Sequence, residues 1–198
     1  MYPHAILCIR NIETVSNTWI QRGIKLNMKT CAFTGQCPQS FSFGFNEEDE
    51  SCINLKKARR EQILSLIENK GTAHFISGMA SGTDMYAAEI VLGLKAFYPG
   101  ITLECTIPCE CQAEKWPEDL RNRYFDIASK CDTETLVQTH YTQDCKDKCS
   151  RYMVDHADTL IAVWNGSSSG TGKMVRYAHQ QGKTVIIIDP KTLQIEQQ

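Results

Sequence analysis

Two stretches of the sequence, rich in glycine and hydroxyl side chains, have the composition of anion-binding turns. The first is Ile76-Ser77-Gly78-Met79-Ala80-Ser81-Gly82-Thr83-Asp84, and the second covers residues 165–172. Each follows an apolar run typical of a buried strand and precedes a helical pattern. The start of such a helix directs free backbone N–H groups and a partial positive charge outward, which suits a phosphate or another anion. Because the carboxyl ends of parallel strands face the same way, we expect both turns on one side of the sheet.

The first turn also brings a carboxylate to the predicted site. Ser81 is placed to cap the following helix, and Asp84, three residues on, completes a capping box. Gly78 and Gly82 allow a tight turn and leave room for a ligand. At 100° per residue, Asp84 lies at the edge of the buried helical stripe, whereas Glu89 points almost directly away from it. Asp84 and Glu89 are the candidate catalytic carboxylates, and Asp84 is the better placed.

Neither turn matches a strong phosphate-binding motif. No Gly-Lys-Ser/Thr follows, as a Walker loop requires, and the Gly-x-Gly-x-x-Gly spacing of a dinucleotide site is absent. Each turn alone also fits an ordinary connection between strand and helix that needs glycine for geometry only. The two together favour a ligand site.

The elements that position these turns alternate between strand and helix from residue 30 onward. This alternation predicts an α/β fold, a three-layer domain with a mostly parallel sheet of about six strands, over residues 29–190. Residues 1–28 do not fit the pattern; they form an N-terminal extension that packs on the core or derives from an upstream start codon. Residues 191–198 are expected to form a tail. The predicted strands cover residues 30–34, 73–76, 101–107, 135–138, 159–164 and 184–188, and the predicted helices 55–69, 84–97, 118–130, 144–157 and about 173–181.

Two further loops are long enough to contribute to a site. The loop over residues 36–54 carries Phe41, Phe43 and Phe45, and it is either a lid or a loop that its aromatic side chains anchor to the core. The loop over residues 109–117 contains Gln112 and Trp116. Trp116 could stack on a base, although a buried tryptophan in the core is the commoner role.

Composition excludes some classes of partner. The 198 residues carry a formal net charge of -2 and have no basic surplus, which disfavours nucleic acid as a partner. No apolar run approaches the roughly 20 residues of a membrane span, so we expect a cytoplasmic protein without a membrane partner. The ten cysteines contain no Cys-x-x-Cys pair, and Cys145 and Cys149 share an apolar helical face. We therefore expect core or incidental thiols and no metal site.

Short motifs in a fixed order resemble a known family. They are Thr34-Gly35, the turn from Ile76 to Asp84 with Ala87-Ala88-Glu89, Ile107-Pro108-Cys109 with Gln112 and Trp116, Arg151-Tyr152-Met153-Val154-Asp155 with Asp158, and Ser169-Gly170-Thr171. Over residues 28–190 the chain resembles the YpsA-like branch of the SLOG superfamily, which joins the Rossmann domain of DNA-processing protein A to the LOG phosphoribohydrolases. The resemblance implies a Rossmann-like fold, a nucleotide or nucleotide-derived ligand and a homodimer.

The chain departs from that family at three places. Gln36-Cys37 stands where members usually carry His-Arg, and Cys149-Ser150 stands where many carry Arg-Asn. Met174 replaces the reaction-centre glutamate of the phosphoribohydrolases. Whether the protein is an enzyme therefore stays open.

Three functions compete at this point. The leading one is a sensor or effector that binds an ADP-ribose-like, NAD-like or nucleoside phosphate ligand, with no certain cofactor. The second is a nucleotide N-glycosidic hydrolase, and the third is DNA binding through the basic cluster Lys56-Lys57-Ala58-Arg59-Arg60, a run that on a helix is more often a solvated face. In the first, Asp84 would accept a hydrogen bond from a ribose hydroxyl. The residues expected to line the ligand are Thr34, Gly35, Ser77, Gly78, Ser81, Gly82, Thr83, Asp84, Pro108, Gln112, Trp116, Asn165, Gly166, Ser169, Gly170 and Thr171.

Overall fold

Five strands of the sheet are largely buried, as a parallel sheet covered on both faces requires, and a sixth, polar strand lies at its edge. In this computed structural model, which describes residues 28–198, they are followed by a seventh strand. The strands are β1 (Lys29–Gly35), β2 (Thr72–Ser77), β3 (Thr102–Ile107), β4 (Thr133–Leu136), β5 (Thr159–Val163), β6 (Thr184–Ile188) and β7 (Ile195–Gln197). The helices are α1 (Glu50–Lys70), α2 (Thr83–Leu94), α3 (Glu118–Lys130), α4 (Cys145–Asp155) and α5 (Gly170–Gln180). The expected N-terminal extension lies, except for Met28, outside the described residues.

The strand order is β4-β3-β2-β1-β5-β6-β7, with β7 antiparallel to β6 and all other neighbours parallel. The predicted three-layer, Rossmann-like α/β fold is therefore confirmed. The chain moves outward from β1 to β4 and then returns to place β5 on the other side of β1. The order reverses between β1 and β5, and the crevice beyond their carboxyl ends is where such sheets bind ligands.

Side chains alternate between the two faces of the sheet, and each face has its own core. In β1, Phe33 packs with α1, α2 and α3 on one face, and Ala32 packs with α4 and α5 on the other. Cys145 and Cys149 are buried in or beside α4, as predicted. All nine cysteines of residues 28–198 are free thiols, and within that range no group of three or more His, Cys, Asp or Glu side chains could hold a metal.

Several element boundaries differ from the sequence-based predictions. Helix α1 begins five residues before the predicted start, because the Asp49 side chain caps it by accepting from the Ser51 N–H at 2.8 Å. Helix α5 begins at Gly170 and not near residue 173, because Ser169 caps it. The expected tail is also corrected: Leu193 packs against the core, and residues 195–197 pair with β6.

The loop between β1 and α1 is anchored by two of its three aromatic side chains. Phe41 and Phe43 are buried and stack with their ring centroids 4.9 Å apart, whereas Phe45 is exposed. Of the helices in residues 28–198, none is both long and apolar enough to cross a bilayer.

Candidate functional site

The loops after β1 and β5 are joined across the crevice by one side chain. Gln36 follows β1, and its amide nitrogen Nε2 donates to Asn165 Oδ1 at 2.9 Å and to Ser167 Oγ at 3.0 Å. Its backbone N–H donates to the Val163 carbonyl at the end of β5 at 3.2 Å. Gln36 is 6% exposed. It therefore fixes the separation of the two loops at the point where the strand order reverses.

The first glycine-rich turn packs directly against the loop after β1. A Cβ atom on Gly35 would lie 2.3 Å from Thr83 Oγ1, and one on Gly82 would lie 2.4 Å from Pro38 Cγ. Gly82 also has φ +88°, a conformation that L side chains rarely adopt. The space beside Gly82 is thus filled by Pro38 of this chain. Gly82 was expected to leave room for a ligand, but it serves the packing of the two loops.

Ser77 fixes the first turn, and Ser81 does not cap the helix. The predicted capping box is wrong: α2 begins at Thr83, its cap residue is Gly82, and no side chain caps it. Instead, Ser77 Oγ donates to the Asp84 carbonyl at 2.9 Å and accepts from the Met79 N–H at 3.2 Å. Met79, buried and with φ +54°, completes the turn.

Asp84 is a buried carboxylate at this turn, 8% exposed. Burial raises its pKa to about 7, although the charge of Arg59 and the Ala80 backbone N–H act in the opposite direction. A Cβ atom on Gly78 would lie 3.2 Å from Asp84 Oδ2, so a larger residue there would crowd the carboxylate. The other oxygen, Oδ1, is buried without a hydrogen-bond partner among the described residues. Most buried polar atoms in proteins have a partner, so this oxygen is an unusual feature of the turn.

Arg59, like Gln36, is a residue at this site that the sequence-based reasoning missed. Arg59 is 1% exposed. Its guanidinium donates from Nη2 to the Thr34 carbonyl at 3.0 Å and from Nη1 to the Thr83 carbonyl. The guanidinium also lies 5.6 Å from the centre of the Phe33 ring. Burial lowers its pKa to about 10, and the charge of Asp84 opposes that shift. The expectation of a solvated basic face is wrong for Arg59. Helical spacing supplied the signal, because Arg59 lies four residues from both Leu55 and Ile63 on the buried stripe.

Gln112 comes from the loop after β3 and supports the first turn. Its Nε2 donates to the carbonyls of Gly78 and Met79, at 3.1 and 3.0 Å. The amide orientation is therefore fixed by two acceptors, and Oε1 is left buried without a partner among residues 28–198. Gln36 Oε1 is in the same state. Three buried acceptor oxygens around the two turns, on Asp84, Gln36 and Gln112, thus have no partner among residues 28–198.

The second turn forms the start of α5 on the other side of the crevice. Ser169 Oγ accepts from the Gly172 N–H at 3.2 Å, and Asn165 Oδ1 accepts from the Ser167 N–H at 3.1 Å. Gly166 and Gly170 are exposed and Thr171 is buried. By helix geometry the N–H groups of the first turn have no partner within the helix, so this end can donate to an anion.

The remaining predicted residues lie in several surroundings. Glu89 is held in a two-point ion pair by Arg123 of α3, with both N···O distances at 2.6 Å. Trp116 packs edge-on against Tyr124, with ring centroids 5.6 Å apart, which is the core role. Pro108 is buried after β3, and Met174, at the position of the family's glutamate, is a buried residue of α5. Thr34 is buried and offers its carbonyl to Arg59.

Two solved structures share this fold. DNA processing protein A from Streptococcus pneumoniae matches with a TM-score of 0.57 and 16% identity over 85% of this chain. The protein of the same name from Helicobacter pylori, described with a single-stranded DNA binding mode, matches with a TM-score of 0.54 and 18% identity over 81%. This chain spans 53% and 65% of those chains.

This likeness corrects one expectation from the sequence. The lack of a basic surplus disfavoured nucleic acid as a partner, but a protein of the same fold binds single-stranded DNA. Net charge is a sum over the whole chain and does not exclude a local basic surface. Nucleic acid therefore stays among the candidate partners.

Relatives and a family model cover most of the chain. A UPF0398 protein of Bacillus cereus (strain B4264) is 29% identical over 160 residues, 79% of this chain and 85% of the relative. A UPF0398 protein of Bacillus thuringiensis (strain Al Hakam) has the same identity and coverage. The family model matches residues 31–193, the whole sheet up to β6 with its helices. On this match the chain belongs to the YspA SLOG family.

Proposed function

We propose that the protein binds a nucleotide or nucleotide-derived ligand, ADP-ribose-like, NAD-like or a nucleoside phosphate, as a sensor or effector. The observation that carries this proposal is the combination of donors and unpaired acceptors at one edge of the sheet. The exposed helix start at Gly170 offers backbone N–H groups, and the start of α2 at Thr83 lies buried behind Pro38. Three buried acceptors, on Asp84, Gln36 and Gln112, have no partner among residues 28–198. A nucleotide carries both kinds of complementary group.

Each half of the crevice suits a different part of such a ligand. Phosphate oxygens accept hydrogen bonds, so they suit the helix start at Gly170. Ribose hydroxyls and an exocyclic amine donate, so they suit the carboxylate and the two amide oxygens. The Arg59 guanidinium already donates to two backbone carbonyls, so we expect it to attract the ligand through its positive charge and not through a direct hydrogen bond.

The setting that we propose is the cytoplasm, where thiols stay reduced. The nine described cysteines are free, including Cys109 and Cys111, whose sulfur atoms lie 3.5 Å apart. Free thiols at this density suit a reducing compartment. A homodimer, which the family resemblance implies, is part of the same proposal.

Titration calorimetry of the full chain against ADP-ribose, NAD and nucleoside monophosphates tests the proposal. Asp84→Asn replaces one acceptor oxygen with a donor and removes the charge, and a hydrogen bond to a charged group contributes about 1.5–3 kcal/mol. We expect roughly a tenfold or greater loss of affinity for the ligand that binds, because each 1.4 kcal/mol is a factor of ten.

Glu89→Gln is the matched control. It removes the same charge from the same helix, at a carboxylate that Arg123 already engages. The control should bind like the unmodified protein. An absence of heat across the panel would refute ligand binding, and equal affinities of the two variants would place the ligand away from Asp84.

A second candidate function, cleavage of a nucleotide N-glycosidic bond, is favoured by one observation. A carboxyl group with a pKa near 7 exchanges its proton at neutral pH, as general acid–base catalysis requires, and Asp84 has that property. Incubation with nucleoside monophosphates, followed by chromatography for free base, tests it. The hydrolase reading predicts free base that disappears with Asp84→Asn; no release, or release that survives the substitution, contradicts it.

A further inference from the structure

A groove between α4 and α5 shares only Gly170 with the candidate nucleotide site. It has a volume of about 380 Å³. Its charged walls are formed by Lys146 and Arg151 from one side and by Lys173 and Arg176 from the other. Gly170, the first residue of α5, lines the groove at the end that is closest to the carboxyl edge of the sheet. The groove is therefore continuous with the rim of the sheet but extends along the helices.

The charge of this groove is opposite to that of the whole protein. Four basic side chains line it against one carboxylate, Asp147, while the chain as a whole carries a net charge of -2. Asp147 pairs with Arg151, with Arg151 Nε 2.8 Å from Asp147 Oδ2. Within residues 28–198, Lys146, Lys173 and Arg176 form no ion pair. Three cations thus remain for an anionic partner.

The groove also holds an aromatic ring in a fixed orientation. Tyr177 donates from its hydroxyl to Asp155 Oδ1 at 2.9 Å, and the Arg151 guanidinium lies 4.6 Å from the centre of its ring. A planar cation over an aromatic ring is a platform on which a base can stack. Single-stranded nucleic acid combines a row of phosphates with unpaired bases, so it matches both features.

We propose that the α4–α5 groove binds the phosphate backbone of a single-stranded nucleic acid. This inference goes beyond the proposed nucleotide site and does not depend on it. Single-stranded DNA binding by a protein of the same fold agrees with the class of partner. The first 27 residues of this chain carry three basic residues and one acidic residue, so their charge does not complement the groove.

Fluorescence anisotropy of a labelled single-stranded oligonucleotide with the full chain tests the proposal. Titrations at about 50 mM and about 200 mM salt should show much weaker binding at the higher concentration, since phosphate contacts release counterions. The double variant Lys173→Gln/Arg176→Gln removes two phosphate contacts. We expect it to bind about tenfold or more weakly at low salt and to reduce the salt slope by about two.

Lys57→Gln/Arg60→Gln is the matched control. These residues are exposed on α1, on the other face of the sheet, with the same spacing of three and the same loss of charge. This variant should bind the oligonucleotide like the unmodified protein. Equal binding by both double variants, a loss confined to the α1 variant, or no salt-dependent binding at all would overturn the proposal.

Competitors separate a nucleic acid strand from other anions. A nucleoside monophosphate or polyglutamate at equal anion concentration should displace the oligonucleotide poorly, because neither offers both phosphates in a row and bases. Displacement as efficient as that by unlabelled oligonucleotide would overturn the proposal. Asp84→Asn should leave strand binding unchanged, so the groove and the nucleotide site can fail independently.

Discussion

The packing at Gly82 supports a quantitative prediction of stability. Gly82 has φ +88° and ψ -120°, and an added Cβ atom would lie 2.4 Å from Pro38 Cγ and 2.6 Å from Pro38 Cδ. Holding a residue other than glycine in such a conformation costs of order 1–3 kcal/mol. Forcing an extra methyl group into a packed contact costs about 1–3 kcal/mol more. We therefore expect Gly82→Ala to lower the free energy of unfolding by roughly 2–6 kcal/mol.

Gly93→Ala provides the control in the same helix. Gly93 lies in the last turn of α2, is exposed, and has no atom within 4 Å of an added Cβ. Glycine inside a helix is less favourable than alanine by roughly 0.5–1 kcal/mol, so this substitution should raise stability slightly. The same chemical change is thus expected to have opposite signs at positions 82 and 93.

Urea denaturation followed by circular dichroism measures both variants. The slope of the unfolding free energy against urea should stay unchanged, so that the midpoint shift reports stability. If Gly82→Ala unfolds at the midpoint of the unmodified protein, the loops are not packed as described. If both alanine variants are destabilised equally, the effect belongs to the helix and not to the contact with Pro38.

Three further predictions concern buried charges. Asp84 has a pKa of about 7 in the folded protein against an ordinary value of 3.8, so between these pH values the folded state binds one proton more than the unfolded state. The free energy of unfolding should therefore fall by up to about 1.4 kcal/mol per pH unit as pH rises through this range. Equilibrium denaturation should show this dependence in the unmodified protein and a flatter one in Asp84→Asn. Arg59→Lys keeps the charge but loses the planar guanidinium that donates to the Thr34 and Thr83 carbonyls. We expect the free energy of unfolding, measured by heat or urea, to fall by roughly 2 kcal/mol. Unchanged stability would show that these two hydrogen bonds do not stabilise the fold. Hydrogen bonds from His74 and Tyr152 help to lower the Glu104 pKa to about 2. The stability that the ionised Glu104 contributes to the fold should therefore be lost as pH falls from 4.5 toward 2. Glu104→Gln should make the free energy of unfolding less dependent on pH in this range, as acid denaturation would show.

The sequence predicts the fold well because its signals are local. Alternation of strand and helix patterns identifies the six parallel strands, and continuous apolar runs such as residues 184–188 identify buried ones. The same periodicity places Asp84 at the crevice and Glu89 away from it. These conclusions depend only on residue spacing within one element.

The features that sequence reasoning missed depend on contacts between distant segments. Gln36 bonds to Asn165 and Ser167 because β5 lies beside β1 in the sheet. These residues are 129 and 131 positions away from Gln36 in the sequence, so no local pattern predicts the contact. The capping prediction failed because the cap residue is Gly82, which packs against Pro38 from the loop after β1, a contact that local sequence does not reveal. Arg59 is part of a basic run, and such a composition suggested that its side chain is exposed to solvent. Its position on the apolar stripe of α1 indicated instead that it is buried.

The interlocked loops have a consequence for how a ligand is recognised. Thr83 packs against Gly35 and Pro38 packs against Gly82, so the chain itself supplies the contacts that hold the two loops together. The conformational entropy of arranging the crevice is therefore lost in folding and does not subtract from affinity. If the proposed ligand binds here, the interlocked loops would stay in place, and a downstream partner would have to detect the bound molecule itself at the open rim.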